Sequence, residues 1–147
     1  MKNITLIIIP IIFSFINVQA QSDEICGYWL TEKGDSQVQV FKVSNGKFYG
    51  RVVWMDKEKD AKDTKNPNEK LRSVKVVGLQ ILNNSIYNPK SKTWEGGTIY
   101  DPESGNTYDC YLWLDMNKNI LKLKGYVLGI KFLGRESQWK REPNLRP

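Results

Sequence analysis

The chain has 147 residues with a net charge of +6, two cysteines and no histidine. That length suits one domain. Lacking histidine, the chain lacks the usual general base near neutral pH and the commonest zinc ligand, which excludes Ser-His-Asp and Cys-His catalysis. Two cysteines without a Cys-x-x-Cys spacing also leave thioredoxin-type redox work without its motif.

The N-terminus has the three parts of a secretory leader. Lys2 supplies the positive charge, Ile4 to Ile16 is a run dominated by Ile, Leu and Phe and broken by Pro10, and Val18 and Ala20 stand at the minus-three and minus-one positions of an exit. The apolar part spans 13 residues, short of the roughly 17 to 25 of a membrane helix. The expectation is an exported protein cleaved after Ala20, secreted or periplasmic and not integral to a membrane. Cys26 follows Asp23-Glu24-Ile25, which is no lipobox. Gln21 to Pro147 remain as the domain, with 21 Lys and Arg against 16 Asp and Glu spread along its length. Such diffuse charge reads as a solvated surface.

Strands follow. Gly27 to Thr31 is short and aromatic, and Gln37 to Val43 alternates up to the turn pair Asn45-Gly46. Phe48 to Met55 returns, and strict alternation places Phe48, Gly50, Val52 and Trp54 on one face. Asp56 to Lys70 has five acidic and five basic side chains and little else, so it reads as a surface excursion with room for one short charged helix. Strand pattern resumes at Val74 to Leu82, followed by a turn around Asn88-Pro89. Trp94 to Tyr100 carries Gly96 and Gly97, the mark of a bulge or close approach. After the turn Asp101 to Gly105, Tyr108 to Leu114 is the clearest alternation, and Ile120 to Val127 with Ile130 to Trp139 form a last pair hinged near Gly129. About eight strands joined mostly by short polar turns predict an all-β antiparallel meander closed into a small barrel, with a sandwich as the alternative.

Certain spaced residues resemble a known family: Gly27-Tyr28-Trp29, Phe48 to Trp54 after an Asn-Gly turn, Asp63 to Pro67, Val77-Gly78-Leu79, Tyr100-Asp101-Pro102 before Gly105, and Gly134-Arg135 leading to Trp139 and Arg141. Over about Gly27 to Arg141 the chain is similar to the bacterial domain-of-unknown-function family 2147. The resemblance implies export and a lipocalin-like or streptavidin-like barrel, and it implies no activity. The Gly27-x-Trp29 start is similar to that of lipocalins, where the Trp packs across the barrel floor and a C-terminal Arg covers it. The resemblance therefore gives Trp29 and Arg141 structural roles. Lipocalins proper are longer and carry a helix after their strands.

Other chemistries find little support. Asp56-x-Glu58-x-Asp60 fails as an EF-hand, with Ala61 where Gly and Pro67 where Glu are needed; a looser cation site would draw on Asp60, Asp63 and Asn66. No cofactor or metal is expected. Glu95, Asp101 and Asp109 lie near one hairpin and would be the carboxylates of a weak hydrolase, which needs two acids roughly 5 to 9.5 Å apart. Lysines interleaved with aromatics between Lys118 and Lys131 have a nucleic-acid flavour, which export argues against. Twelve Trp and Tyr residues would fill a core or line a barrel mouth. Taken as lining, Arg51, Trp54, Trp94, Tyr108, Trp113 and Arg135 form the expected site for a small apolar, lipid-like or glycan ligand, with Arg51, Arg135 or Arg72 meeting an anionic group. The other reading is a structural or protein-interaction module of the cell envelope. Cys26 and Cys110 stay open between a disulfide, which would close a loop worth about 4 kcal/mol by chain entropy, and two buried thiols.

Overall fold

The structure, a computed structural model, describes residues 15–147. Lys2 and most of the predicted apolar leader lie outside the described residues. A helix α1 (Phe15–Asp23) leads into eight strands: β1 (Gly27–Leu30), β2 (Ser36–Lys42), β3 (Phe48–Met55), β4 (Gln80–Asn88), β5 (Thr93–Asp101), β6 (Asn106–Leu114), β7 (Ile120–Tyr126) and β8 (Arg135–Glu142). Each strand pairs antiparallel with the next, and β8 returns to β1, so the meander is a closed barrel. The sandwich alternative is thereby set aside, and closure leaves no free sheet edge.

Alternation sets the interior. Val38 and Val40 of β2, Cys110 and Leu112 of β6, and Leu121 and Leu123 of β7 all point inward and are buried. Small residues let the walls approach. Gly97 has no room for a Cβ, which would collide with the Ser85 hydroxyl and the Asn83 carbonyl oxygen across the β4–β5 seam.

One departure from strict alternation moves a predicted site residue. Gln37 pairs with Trp54 but Val38 pairs with Val52, so Val53 is an extra residue in β3. Such a bulge reverses the faces beyond it. Met55 turns into the barrel, and Trp54 turns out onto the wall, where Arg146 lies over its ring at 4.8 Å and its indole N–H donates to the Pro147 carbonyl oxygen. The C-terminal tail is thus strapped along the outside, with the buried Gln37 amide donating to Glu142 and the Asn144 carbonyl oxygen.

The strand boundaries also differ from expectation at three connections, one of them between β7 and β8, where Ile130 to Gly134 is loop with a 3-10 turn and not strand. Val74 to Leu79 belongs to the long excursion between β3 and β4, and Ser85 to Asn88 extends β4 down to a turn at Pro89. The excursion is ordered through polar contacts. Asp63 is buried and accepts from the Tyr100 hydroxyl at 2.6 Å and from the Asn66 amide at 2.7 Å. Burial, with the neighbouring Asp63 carboxylate, pushes the Tyr100 phenol up to about 12, so its proton stays in this hydrogen bond. A single 3-10 turn, Glu69–Leu71, is the short helix of that segment.

Candidate ligand-binding site

The two ends of the barrel are built differently. At the closed end, Trp29 is fully buried and donates from its indole N–H to the Ile25 carbonyl oxygen at 2.9 Å. The Arg141 guanidinium lies over the Trp29 ring at 4.1 Å. It also donates to the carbonyl oxygens of Glu24 at 2.6 Å, Cys26 at 3.2 Å and Lys118 at 2.7 Å. One cation therefore ties the entry to β1, the β6–β7 turn and β8 together over the floor. Trp94 completes the floor by donating to the Ser22 carbonyl oxygen at 3.0 Å and packing edge-on against Phe48. Residues just past Ala20 already belong to this floor.

At the other end four connections surround an opening: the β1–β2 loop, the excursion after β3, the β5–β6 turn and the β7–β8 loop. Beneath them lies a cavity of about 990 Å³. Its walls are Val52, Val76, Ile81, Ile99, Leu123 and Trp139, with Tyr108, Gly125 and Ser137 on the β6–β8 side. The rim carries both signs of charge: Glu32, Asp35, Asp56, Glu58, Asp101 and Glu103 against Lys33, Lys57, Lys62 and Arg135. Lys33 and Glu103 pair across the mouth at 2.5 Å, and both are well exposed. Such a pair contributes little to stability and opens readily. Arg135 has no ion-pair partner among the described residues.

Two of the six expected lining residues, Tyr108 and Arg135, are on the cavity. The other four are elsewhere. Trp94 faces inward but belongs to the closed floor. Arg51 is on the outer wall, bound to the Gln39 side-chain oxygen and lying 5.4 Å from the Phe41 ring centre. Trp54 is outside because of the bulge. Trp113 is outside because Cys110, Leu112 and Leu114 take the inward positions of β6; it stacks on Tyr111 at 5.3 Å. Arg72 is tied to the Asn66 carbonyl oxygen and to Glu69 within the excursion. The walls that sequence reading missed come from residues with plain core patterning, Ile81, Ile99, Leu123 and Trp139. Only the barrel's length separates an inward residue at the mouth from one at the floor.

The other candidate sites do not assemble. Asp60 pairs with Lys75, and both Asp63 oxygens are taken by Tyr100 and Asn66, so the loose cation site is filled by protein groups. Glu95 is held by Ser91 and Thr93 beside the closed-end turn, Asp101 caps the Glu103 N–H and Ser104, and Asp109 is on the outer wall opposite Thr98. Those three carboxylates do not converge on one cleft. Cys26 and Cys110 are both free thiols. Burial pushes the Cys110 thiol up to about 12, and it raises Cys26 too, so neither is an activated nucleophile.

Comparison with known proteins agrees with this architecture. A family model described as an uncharacterised protein conserved in bacteria (DUF2147) matches residues 27–141. A solved structure, protein HP1028 from the human pathogen Helicobacter pylori, is described as belonging to the lipocalin family. It is 27% identical, with a TM-score of 0.72, over 82% of this chain and 84% of that one. No curated protein matches.

Proposed function

The chain belongs to the DUF2147 family, and on that footing we propose that it is an exported, noncatalytic binding protein that takes a small lipid-like ligand through the open end of its barrel. The observation that carries this reading is the cavity: apolar walls, one mouth, and a charged rim. Its volume of about 990 Å³ lies at the upper end of the range for small-molecule sites, about 300 to 1,000 Å³. An acyl chain or similar apolar body suits Val52, Ile81, Ile99 and Leu123, and Arg135 stands where an acidic headgroup would emerge. The leader pattern around Lys2, Ile4 to Ile16 and Ala20 supports export.

Native mass spectrometry of gently purified protein tests both parts at once. The expected polypeptide mass is that of Gln21 to Pro147, carrying an added apolar molecule that is released on unfolding. A mass starting at Met1 would overturn export. A bare polypeptide that also fails to take up added fatty acid would overturn the ligand reading.

A further inference from the structure

The β7–β8 loop breaks the rule that the rim is polar. Its five apolar side chains, Val127, Leu128, Ile130, Phe132 and Leu133, are exposed; Leu128 is 89% and Phe132 80% in solvent. Leu128 adds a second cost, since it sits at φ 54, in the left-handed region that disfavours a branched side chain. Leu128 and Phe132 in particular are left almost wholly in water, where large apolar side chains gain nothing from packing.

The wall behind this loop has its own pattern. On the outer face of β6 and β7, Tyr111 pairs with Lys124, Trp113 with Lys122, and Asp109 with Tyr126. Lys131, on the loop's 3-10 turn, folds back over the rings of Tyr111 at 5.2 Å and Tyr126 at 6.0 Å. From Ile120 to Lys140 the chain has five Lys and Arg residues against Glu136 alone. The acids that face this wall are Asp109, Glu136 opposite Lys124, and Glu95, which lies within electrostatic reach of Lys131 and Tyr126 and is held by Ser91 and Thr93. An apolar tip, then amphipathic rings, then lysines is the order in which a bilayer is met from its acyl region outward to anionic headgroups.

We infer that the β7–β8 loop docks the barrel on an anionic phospholipid surface, with Leu128 and Phe132 in the acyl boundary and Lys124 and Lys131 at the headgroups. Val127 and Leu133 of this loop, with Arg135 at the start of β8, also line the cavity, so docking brings this side of the mouth to the bilayer. The docking itself does not depend on what the cavity holds.

Sedimentation with vesicles of phosphatidylcholine alone, and of phosphatidylcholine with phosphatidylglycerol, tests it. The wild-type chain is expected to bind the phosphatidylglycerol vesicles and to lose that binding as salt is raised. The L128S/F132S variant should bind at least about tenfold less, because burying either side chain is worth a factor of ten or more. The K124Q/K131Q variant should keep its fold and lose the preference for phosphatidylglycerol. Both substitutions in the first variant are on exposed positions, and an unchanged melting curve checks that the barrel stands. Three outcomes would overturn the inference. The wild type does not sediment with vesicles; or the loop variant binds as the wild type does, which would place binding at the N-terminus or another face; or the wild type is a dimer that the loop variant dissociates, which would make a second copy the occupant. All variants share one N-terminus, so the leader cannot imitate the loop's effect.

Discussion

Replacing Trp29 by Ala is expected to destabilise the barrel by about 3 to 5 kcal/mol, the usual cost of removing a large buried aromatic. The ring is fully buried on the floor, so the cavity left behind cannot be filled from solvent. Two polar consequences add to the loss. The Ile25 carbonyl oxygen loses the indole donor, and the Arg141 guanidinium loses the ring beneath it. A cation over an indole is worth about 0.5 to 2 kcal/mol, and a buried carbonyl without its donor costs about 1 to 3 kcal/mol. These contributions share one site, so they do not simply add. Urea unfolding followed by circular dichroism measures the change. A midpoint equal to that of the wild type would show that the floor does not depend on Trp29.

The second large effect is at the mouth. Gly105 has φ +75, and a Cβ there would fall on the backbone carbonyl oxygen of Lys65, far inside van der Waals contact. Backbone cannot step aside as a flexible side chain does. Gly105→Ala therefore has to combine left-handed strain, about 1 to 2 kcal/mol, with overpacking that typically costs about 1 to 3 kcal/mol. We expect a loss of about 2 to 4 kcal/mol, taken largely by detaching the Asp56 to Leu79 excursion from the β5–β6 turn. Limited proteolysis gives the distinguishing readout: cleavage within that excursion should quicken while the barrel strands stay protected. Equal cleavage rates in the variant and the wild type would mean that the excursion is not seated on Gly105.

Much of this fold was legible because its strands obey a period of two. Tyr108 to Leu114 gives β6 and its inward set without the structure, and the pair Trp29 and Arg141 follows from a resemblance at the two chain ends that the barrel seam then brings into contact. What alternation could not show was the extra residue at Val53, since a bulge depends on the partner strand's register. That one insertion put Trp54 outside. The last strand pair departs from its sequence pattern for a related reason. Val127 to Leu133 has the apolar content of a strand, but Leu128 and Gly129 at positive φ turn it into a loop, and β8 begins only at Arg135. The excursion's order was hidden too, because Asp63 is satisfied by Tyr100, 37 positions away. Arg51 and Trp113 show the wider difficulty: aromatic and cationic residues on strands are equally at home on an outer wall, where they stack on one another.

Ligand binding of the proposed kind needs a barrel whose mouth is open and apolar while its floor is sealed. Methyl-resolved NMR during titration with a long-chain fatty acid tests that most directly. Shifts are expected at Val52, Ile81, Ile99 and Leu123, and not at Leu112 and Leu121 below them. Ser137→Trp, which places a large ring in the cavity wall, should abolish those shifts while the protein stays folded. Unmoved cavity methyls, or shifts that survive Ser137→Trp unchanged, would contradict the account.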